Sequence, residues 1–197
     1  MDRRKALKTT GLLAGATLAM PAALSLLQSC QGEAGPSWEP LFFTGAEARL
    51  VSALADTLLP RTDTPGALDV KVDIFIDRLL ARAYPPEGQQ TMREALAGFD
   101  QHCQDTAGAV FADLDNEARG QILQAAEQTD GQFGKSVWGT AVGEQQPMGF
   151  YRPFKSTVIW AYFSSEEIGE NVLSYDPIPG AYRGCVPLSE IGNRWSL

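Results

Sequence analysis

The sequence predicts an all-α protein, an irregular bundle of about five helices followed by an extended C-terminal tail rich in proline and glycine. Apolar residues recur every three or four positions in separate stretches between 45 and 163. Prolines, glycines and capping residues punctuate those stretches where helices begin and end. No stretch alternates long enough to read as a convincing sheet, and no internal repeat is visible.

The chain opens with a segment that reads as an address rather than as structure. Arg3, Arg4, Lys5 and Lys8 precede a weakly apolar run over 11–27, which ends at Leu27-Gln28-Ser29-Cys30. Adjacent arginines ahead of a run diluted by Gly11, Gly15, Thr17, Pro21 and Ser25 fit a twin-arginine signal, the route that exports folded proteins. A general-pathway lipoprotein signal is the alternative. A permanent span is disfavoured, because it needs about 20 strongly apolar residues and this run is shorter and interrupted by Pro21. The organisation expected is therefore a removed signal over 1–29, a lipidated Cys30 and tether over 30–43, and one helical domain over 44–197 with an extended C-terminal segment. The expected destination is the periplasmic side of a bacterial membrane.

The helices follow in order. Thr44 and Glu47 form a capping box ahead of Leu50, Val51, Leu54, Leu58 and Leu59, which predicts a helix over 45–59, stopped by Pro60. Phe43 is placed to staple against Ala48 or its neighbours. Residues 60–66 are a turn cluster. A second helix over 69–83 would bury Val72, Phe75, Ile76, Leu79 and Leu80, and Tyr84-Pro85-Pro86 would end it. A third, over 88–105, carries Met92, Leu96, Phe99 and Cys103. A fourth, over 115–128, starts at Asp115 or Asn116 and carries Ala118, Ile122 and Ala125. The Gly/Gln-rich stretch 129–149 suggests a short helix near 132–142 inside irregular chain. A strong helix over 151–163 carries Phe154, Val158, Ile159, Tyr162 and Phe163, with a short turn near 165–170. From 171 onward no helical period survives.

Composition narrows function. The whole chain has 24 acidic and 16 basic residues. The signal takes one acidic and four basic residues with it, leaving a mature chain of 23 against 12 and a net charge of −11. That balance argues against nucleic acid and against an electrostatic grip on anionic lipid, leaving membrane binding to the lipid anchor. Beyond Cys30 there remain Cys103 and Cys185, a candidate disulfide in an oxidising compartment. It would close a loop of about 80 residues, worth roughly 4 kcal/mol in the chain-entropy description. Two separate thiols are the alternative.

Catalytic groups are scarce. His102 is the one histidine. Its neighbour Cys103 points about 100° away on a helix, too far round for a shared site. No dinucleotide fingerprint, nucleophile elbow or haem-attachment motif occurs. The carboxylate pairs Asp73/Asp77 and Glu166/Glu167 read as solvated helix faces. The residues offer no catalytic, metal-binding or cofactor-binding set, so the chain is expected to bind, hold or escort rather than catalyse.

Two segments carry a resemblance. The first is Asp56-Thr57-Leu58-Leu59-Pro60-Arg61-Thr62-Asp63-Thr64-Pro65-Gly66-Ala67, followed by Val72-Asp73-Ile74-Phe75-Ile76-Asp77. The second is Leu173-Ser174-Tyr175-Asp176-Pro177-Ile178-Pro179-Gly180-Ala181-Tyr182-Arg183-Gly184-Cys185-Val186-Pro187. Both resemble the gluconate 2-dehydrogenase subunit 3 family, the small subunits of membrane-bound flavin dehydrogenases. The resemblance implies a non-catalytic partner of a large FAD-dependent subunit of the glucose–methanol–choline type, which oxidises a sugar, polyol or sugar acid and often passes electrons to a cytochrome c. It implies that the small subunit supplies the twin-arginine signal for both chains. Many members are soluble periplasmic proteins, so a lipobox at Cys30 is a departure that adds an anchoring role. The candidate contact residues are Pro60, Thr62, Asp63, Pro65 and Gly66 in the first motif and Tyr175, Asp176, Pro177, Pro179, Gly180 and Tyr182 in the second. The competing reading is a free-standing lipoprotein that binds a small ligand or peptide through Trp138, Phe150, Tyr151, Trp160, Tyr162 and Phe163.

Overall fold

Helices dominate the structure, a computed structural model that describes residues 38–196 apart from 139, 145, 146, 179, 182 and 183. The chain divides into two units, Met1–Gly35 and Pro36–Leu197. The first lies outside the described residues, and so do the expected signal residues Arg3 and Arg4 and the lipidation site Cys30. Among the described residues no helix is long and apolar enough to cross a membrane.

α1 (Gly45–Leu58) starts at the expected capping box: the Thr44 hydroxyl accepts from the Glu47 N–H, and the Glu47 carboxylate accepts from the Thr44 N–H at 2.7 Å. α1 is the central rod of the domain and touches every longer helix that follows. Its Ala48, Leu50, Val51, Leu54 and Ala55 are buried. α2 (Val72–Ala83) begins three residues later than the periodicity suggests. Residues 68–71 form a turn, and Lys71 adopts the left-handed conformation at φ 60°, so the right-handed coil cannot begin before Val72.

The buried stripe of α2 also differs from expectation. It is Val72, Asp73, Ile76, Asp77 and Leu80, whereas Leu79 is half-buried and Phe75 is 38% exposed. The two aspartates, expected on a solvated face, are inside. Glu166 and Glu167 are exposed as expected.

α3 (Pro86–Ala107) starts two residues early because Pro86 occupies its first turn, where a missing N–H costs nothing. Gly108 closes it at φ 78°. A 3-10 turn, Phe111–Asp113, buries Phe111. α4 (Asn116–Thr129) is capped by Asp115, whose carboxylate accepts from the Ala118 N–H at 2.8 Å. Its buried residue is Leu123, with Ile122 partly covered; Ala125 faces out.

The short helix expected near 132–142 is absent. In its place β1 (Ser136–Val137) and β2 (Thr140–Ala141) pair antiparallel, Ser136 opposite Ala141 and Val137 opposite Thr140. The reason is composition: glycines at 134 and 139 would each cost a helix over 132–142 about 1 kcal/mol, while a valine and a threonine tolerate extended backbone. Trp138 stands at the tip of this hairpin with φ 53° and 99% of its surface exposed.

α5 (Tyr151–Phe163) has the bounds read from the sequence. Asp130, at the end of α4, accepts from the Gly149 and Arg152 N–H groups and so caps α5 from a neighbouring element. Tyr151, Phe154, Val158, Ala161 and Tyr162 face α1, α2 and α4. A π-helical turn, Ile168–Val172, follows, and α6 (Leu188–Ile191) is a single turn. Ser174 pairs in parallel with Trp195, so the end of the chain folds back onto the segment that leaves the bundle.

Candidate functional site

The first motif forms an exposed loop held rigidly from beneath. Pro60 ends α1, and the loop closes where the Ala67 N–H donates to the Leu59 carbonyl at 2.8 Å. Arg61 donates from Nε to Asp69 Oδ2 at 2.7 Å and from its second terminal nitrogen to Oδ1. Gly66 N–H donates to the same Oδ2 at 2.8 Å. The Arg61 bond first, then the Gly66 N–H, holds the Asp69 carboxyl below the usual carboxylate range. From the bundle side, the Tyr162 hydroxyl of α5 donates to the Pro65 carbonyl at 2.7 Å. Gly66 is required here: a Cβ at this position would lie 2.6 Å from the Arg61 nitrogen, a backbone atom with nowhere to go. Pro60, Thr62 and Asp63 are thereby presented to solvent in one shape, with Pro65 and Gly66 turned in as the support.

The second motif is less tightly organised. Tyr175, Asp176, Pro177 and Gly180 are exposed, while Pro179 and Tyr182 lie outside the described residues. Among the described residues no hydrogen bond, ion pair or ring contact joins this segment to the 60–66 loop. What holds the second is Ser174, whose N–H donates to the Arg194 carbonyl at 2.9 Å and whose carbonyl accepts from Ser196.

The two buried aspartates were missed by sequence reasoning, and they organise the start of the domain. Asp77, 1% exposed, accepts from the Leu41 N–H at 2.8 Å, the Phe42 N–H at 3.0 Å and the Phe43 N–H at 2.9 Å. Asp73 accepts from the Trp38 indole at 3.1 Å and the Ser52 hydroxyl at 2.6 Å. Arg93 completes the clamp: it donates to the Phe42 carbonyl, pairs with Glu47 at 2.6 Å and stacks 4.2 Å over the Phe42 ring. Residues 38–43 are thus a strap bound along α2. The available signal was the aspartate pair at i and i+4 beside an apolar stripe, which alone does not distinguish a solvated face from a clamp.

The remaining candidates separate. His102 is exposed, and among the described residues no group of three metal-ligating side chains occurs. Tyr151 and Tyr162 are buried, and Phe150 lies in a run of rings with Phe99 and Phe154 at 5.6 and 5.1 Å. Trp138, Trp160 and Phe163 are exposed. The aromatics of the ligand-binding reading thus divide between core and surface. A cleft of about 400 Å³ opens between Trp38, Arg49, Lys71 and Asp73, but the Asp73 oxygen there is already engaged by Trp38 and Ser52.

Cys103 and Cys185 are not bonded to each other: Cys103 is buried on α3 and Cys185 is exposed in the tail. Burial, reinforced by the nearby Asp100 charge, pushes the Cys103 thiol up from 9.0 to about 11. An alkylating reagent at mildly alkaline pH is expected to modify Cys185 in the native protein and Cys103 only after unfolding, as read by mass of the labelled peptides. Two blocked thiols that appear only after reduction would show a disulfide instead. Because the folded state keeps Cys103 protonated more strongly than the unfolded chain does, its contribution to stability is intact below about 9 and fades as pH rises through about 11.

No curated protein and no solved structure matches this chain. Residues 45–180, from the first residue of α1 to the middle of the second motif, match the family described as Gluconate 2-dehydrogenase subunit 3. That span is more than two thirds of the 197 residues and contains both the rigid loop and the clamp aspartates of α2. The chain belongs to the gluconate 2-dehydrogenase subunit 3 family, whose name makes its members one subunit of a dehydrogenase complex.

Proposed function

We propose that this chain is the small, non-catalytic subunit of a flavin-dependent dehydrogenase that oxidises a sugar, sugar acid or glycoside. In this reading the catalytic partner is a glucose–methanol–choline-type large subunit that carries the FAD, with a cytochrome c as the onward electron acceptor. The small subunit escorts the folded flavoprotein through the twin-arginine pathway and holds it at the periplasmic face of the membrane by lipid on Cys30. The observation that supports this most is the family match over 45–180 on a chain that opens with Arg3-Arg4 and a diluted apolar run. An export signal for folded cargo suits a domain whose own chemistry is sparse.

The contact surface we assign to the flavoprotein is the 60–66 loop, with Tyr175, Asp176 and Pro177 as a second patch. A loop already fixed by Asp69 and Tyr162 loses little entropy on docking. Full-length tagged chain extracted from its host's membranes is expected to bring down a FAD-containing large subunit. Replacing Arg3 and Arg4 by lysine is expected to leave both chains in the cytoplasm. A flavoprotein that still reaches the periplasm in that strain would show that it does not travel on this signal.

A further inference from the structure

Charge is unevenly placed on this acidic chain. Lys71, Arg78 and Arg82 are exposed along α2, with Phe75 between them. Spacings of three and four residues put Phe75, Arg78 and Arg82 in one stripe on the outer face of the helix, and Lys71 stands exposed just ahead of its first turn, at the rim of the cleft with Trp38 and Arg49. None of the three cations has an ion-pair partner among the described residues. The carboxylates of α2, Asp73 and Asp77, are turned inward to the strap, and α5 contains no carboxylate at all.

Aromatic side chains flank the stripe. Trp160 of α5, 53% exposed, meets Phe75 edge-on at 5.4 Å. Phe163, one turn further on, lies under Arg194 at 5.3 Å, with Trp195 exposed in the same cleft. Exposed tryptophan and phenylalanine beside unpaired lysine and arginine is the composition that suits the headgroup layer of a bilayer, where rings enter the acyl boundary and cations meet phosphate.

The attachment of the chain favours the same face. The strap hangs from α2 itself, through Trp38 to Asp73 and through residues 41–43 to Asp77. Cys30 is eight residues before Trp38, a stretch that extends at most about 28 Å. A lipid there would keep α2 beside the membrane at high effective concentration. The overall negative charge does not forbid this, since carboxylates more than about 8–10 Å from the surface are screened at physiological salt.

We propose that the outer face of α2, with the exposed aromatics of α5, rests on an anionic phospholipid surface and fixes the orientation of the domain on the membrane. The proposal rests on the lipid anchor at Cys30, and the two fail separately. A mature chain whose mass carries no acyl group at Cys30 removes the anchor. The contact itself is read by partition of the exported full chain between phosphatidylcholine vesicles with and without phosphatidylglycerol. A preference of about 100-fold for the anionic vesicles at low salt is expected from three surface cations. Lys71→Gln, Arg78→Gln and Arg82→Gln together are expected to abolish the preference without moving the melting temperature. Brominated lipid is expected to quench Trp160 in the parent more than in the triple variant, with Trp160→Phe identifying the signal. Equal partition of the parent into both vesicles would overturn the proposal. So would a triple variant that keeps its vesicle preference yet loses the flavoprotein on purification, which would assign the stripe to an acidic protein surface.

Discussion

An Asp77→Ala chain is expected to be destabilised by about 3–5 kcal/mol through the loss of three backbone hydrogen bonds at one carboxylate. Asp77 is sealed from solvent and accepts three consecutive backbone N–H groups, those of Leu41, Phe42 and Phe43. These residues lie just ahead of the capping box, where no regular secondary structure can take up their donors. Alanine leaves the buried Phe43 N–H without a partner and strips the half-buried Phe42 and the exposed Leu41 of theirs, and the unpaired buried donor is worse than a bond never made. Asp77→Asn keeps the oxygen that serves Phe42 and Phe43 but turns an amide NH₂ toward Leu41, so an intermediate loss follows. At roughly 2–4 °C per kcal/mol for a domain of this size, the alanine variant should melt about 6–20 °C below the parent. Limited proteolysis should then open the chain within 38–43 first. A melting point within about 2 °C of the parent would mean that the strap is held by something other than this carboxylate.

Phe111→Ala is expected to cost about 3–5 kcal/mol for a different reason, the cavity left by a large ring. Phe111 is wholly buried in the 3-10 turn between α3 and α4, where that turn packs on α1. Its ring lies 5.5 Å from Phe99, and the Arg119 guanidinium is 5.7 Å above it. The backbone is held as firmly: the Phe111 N–H donates to Asp100 at 2.8 Å and its carbonyl accepts from Arg119 Nε at 3.1 Å. With both ends tied, the site cannot collapse to fill the void. Phe111→Leu should recover much of the loss because it restores volume. A fall in denaturant midpoint at unchanged slope is the signature, since the native fold is retained.

The helix bounds that were legible depended on signals within one turn. Thr44 and Glu47 announced α1, Asp115 announced α4, and the uninterrupted run 151–163 marked α5 to the residue. Where reading failed, the deciding interaction was distant. Asp73 and Asp77 have the spacing of a solvated face, and only the strap some 35 residues upstream makes them a clamp. Phe75 fits a buried helical pattern equally well, yet the aspartates take the inner positions and turn it outward against Trp160. The 136–141 hairpin escaped periodicity because its two-residue strands are too short to show alternation, although the glycines around them already weaken a helix.

Sequence alone determined the class of the domain, the starts of α1, α4 and α5, the scarcity of catalytic groups and the family, because caps, breakers and periodicity act over three or four residues and survive without tertiary context. Tertiary structure decided which face of α2 turns inward, how the 60–66 loop is locked by Asp69 and by Tyr162 from nearly a hundred residues away, and that Cys103 stays a buried thiol. Burial and hydrogen-bond satisfaction depend on partners that only folding brings within reach, so no local pattern can assign them.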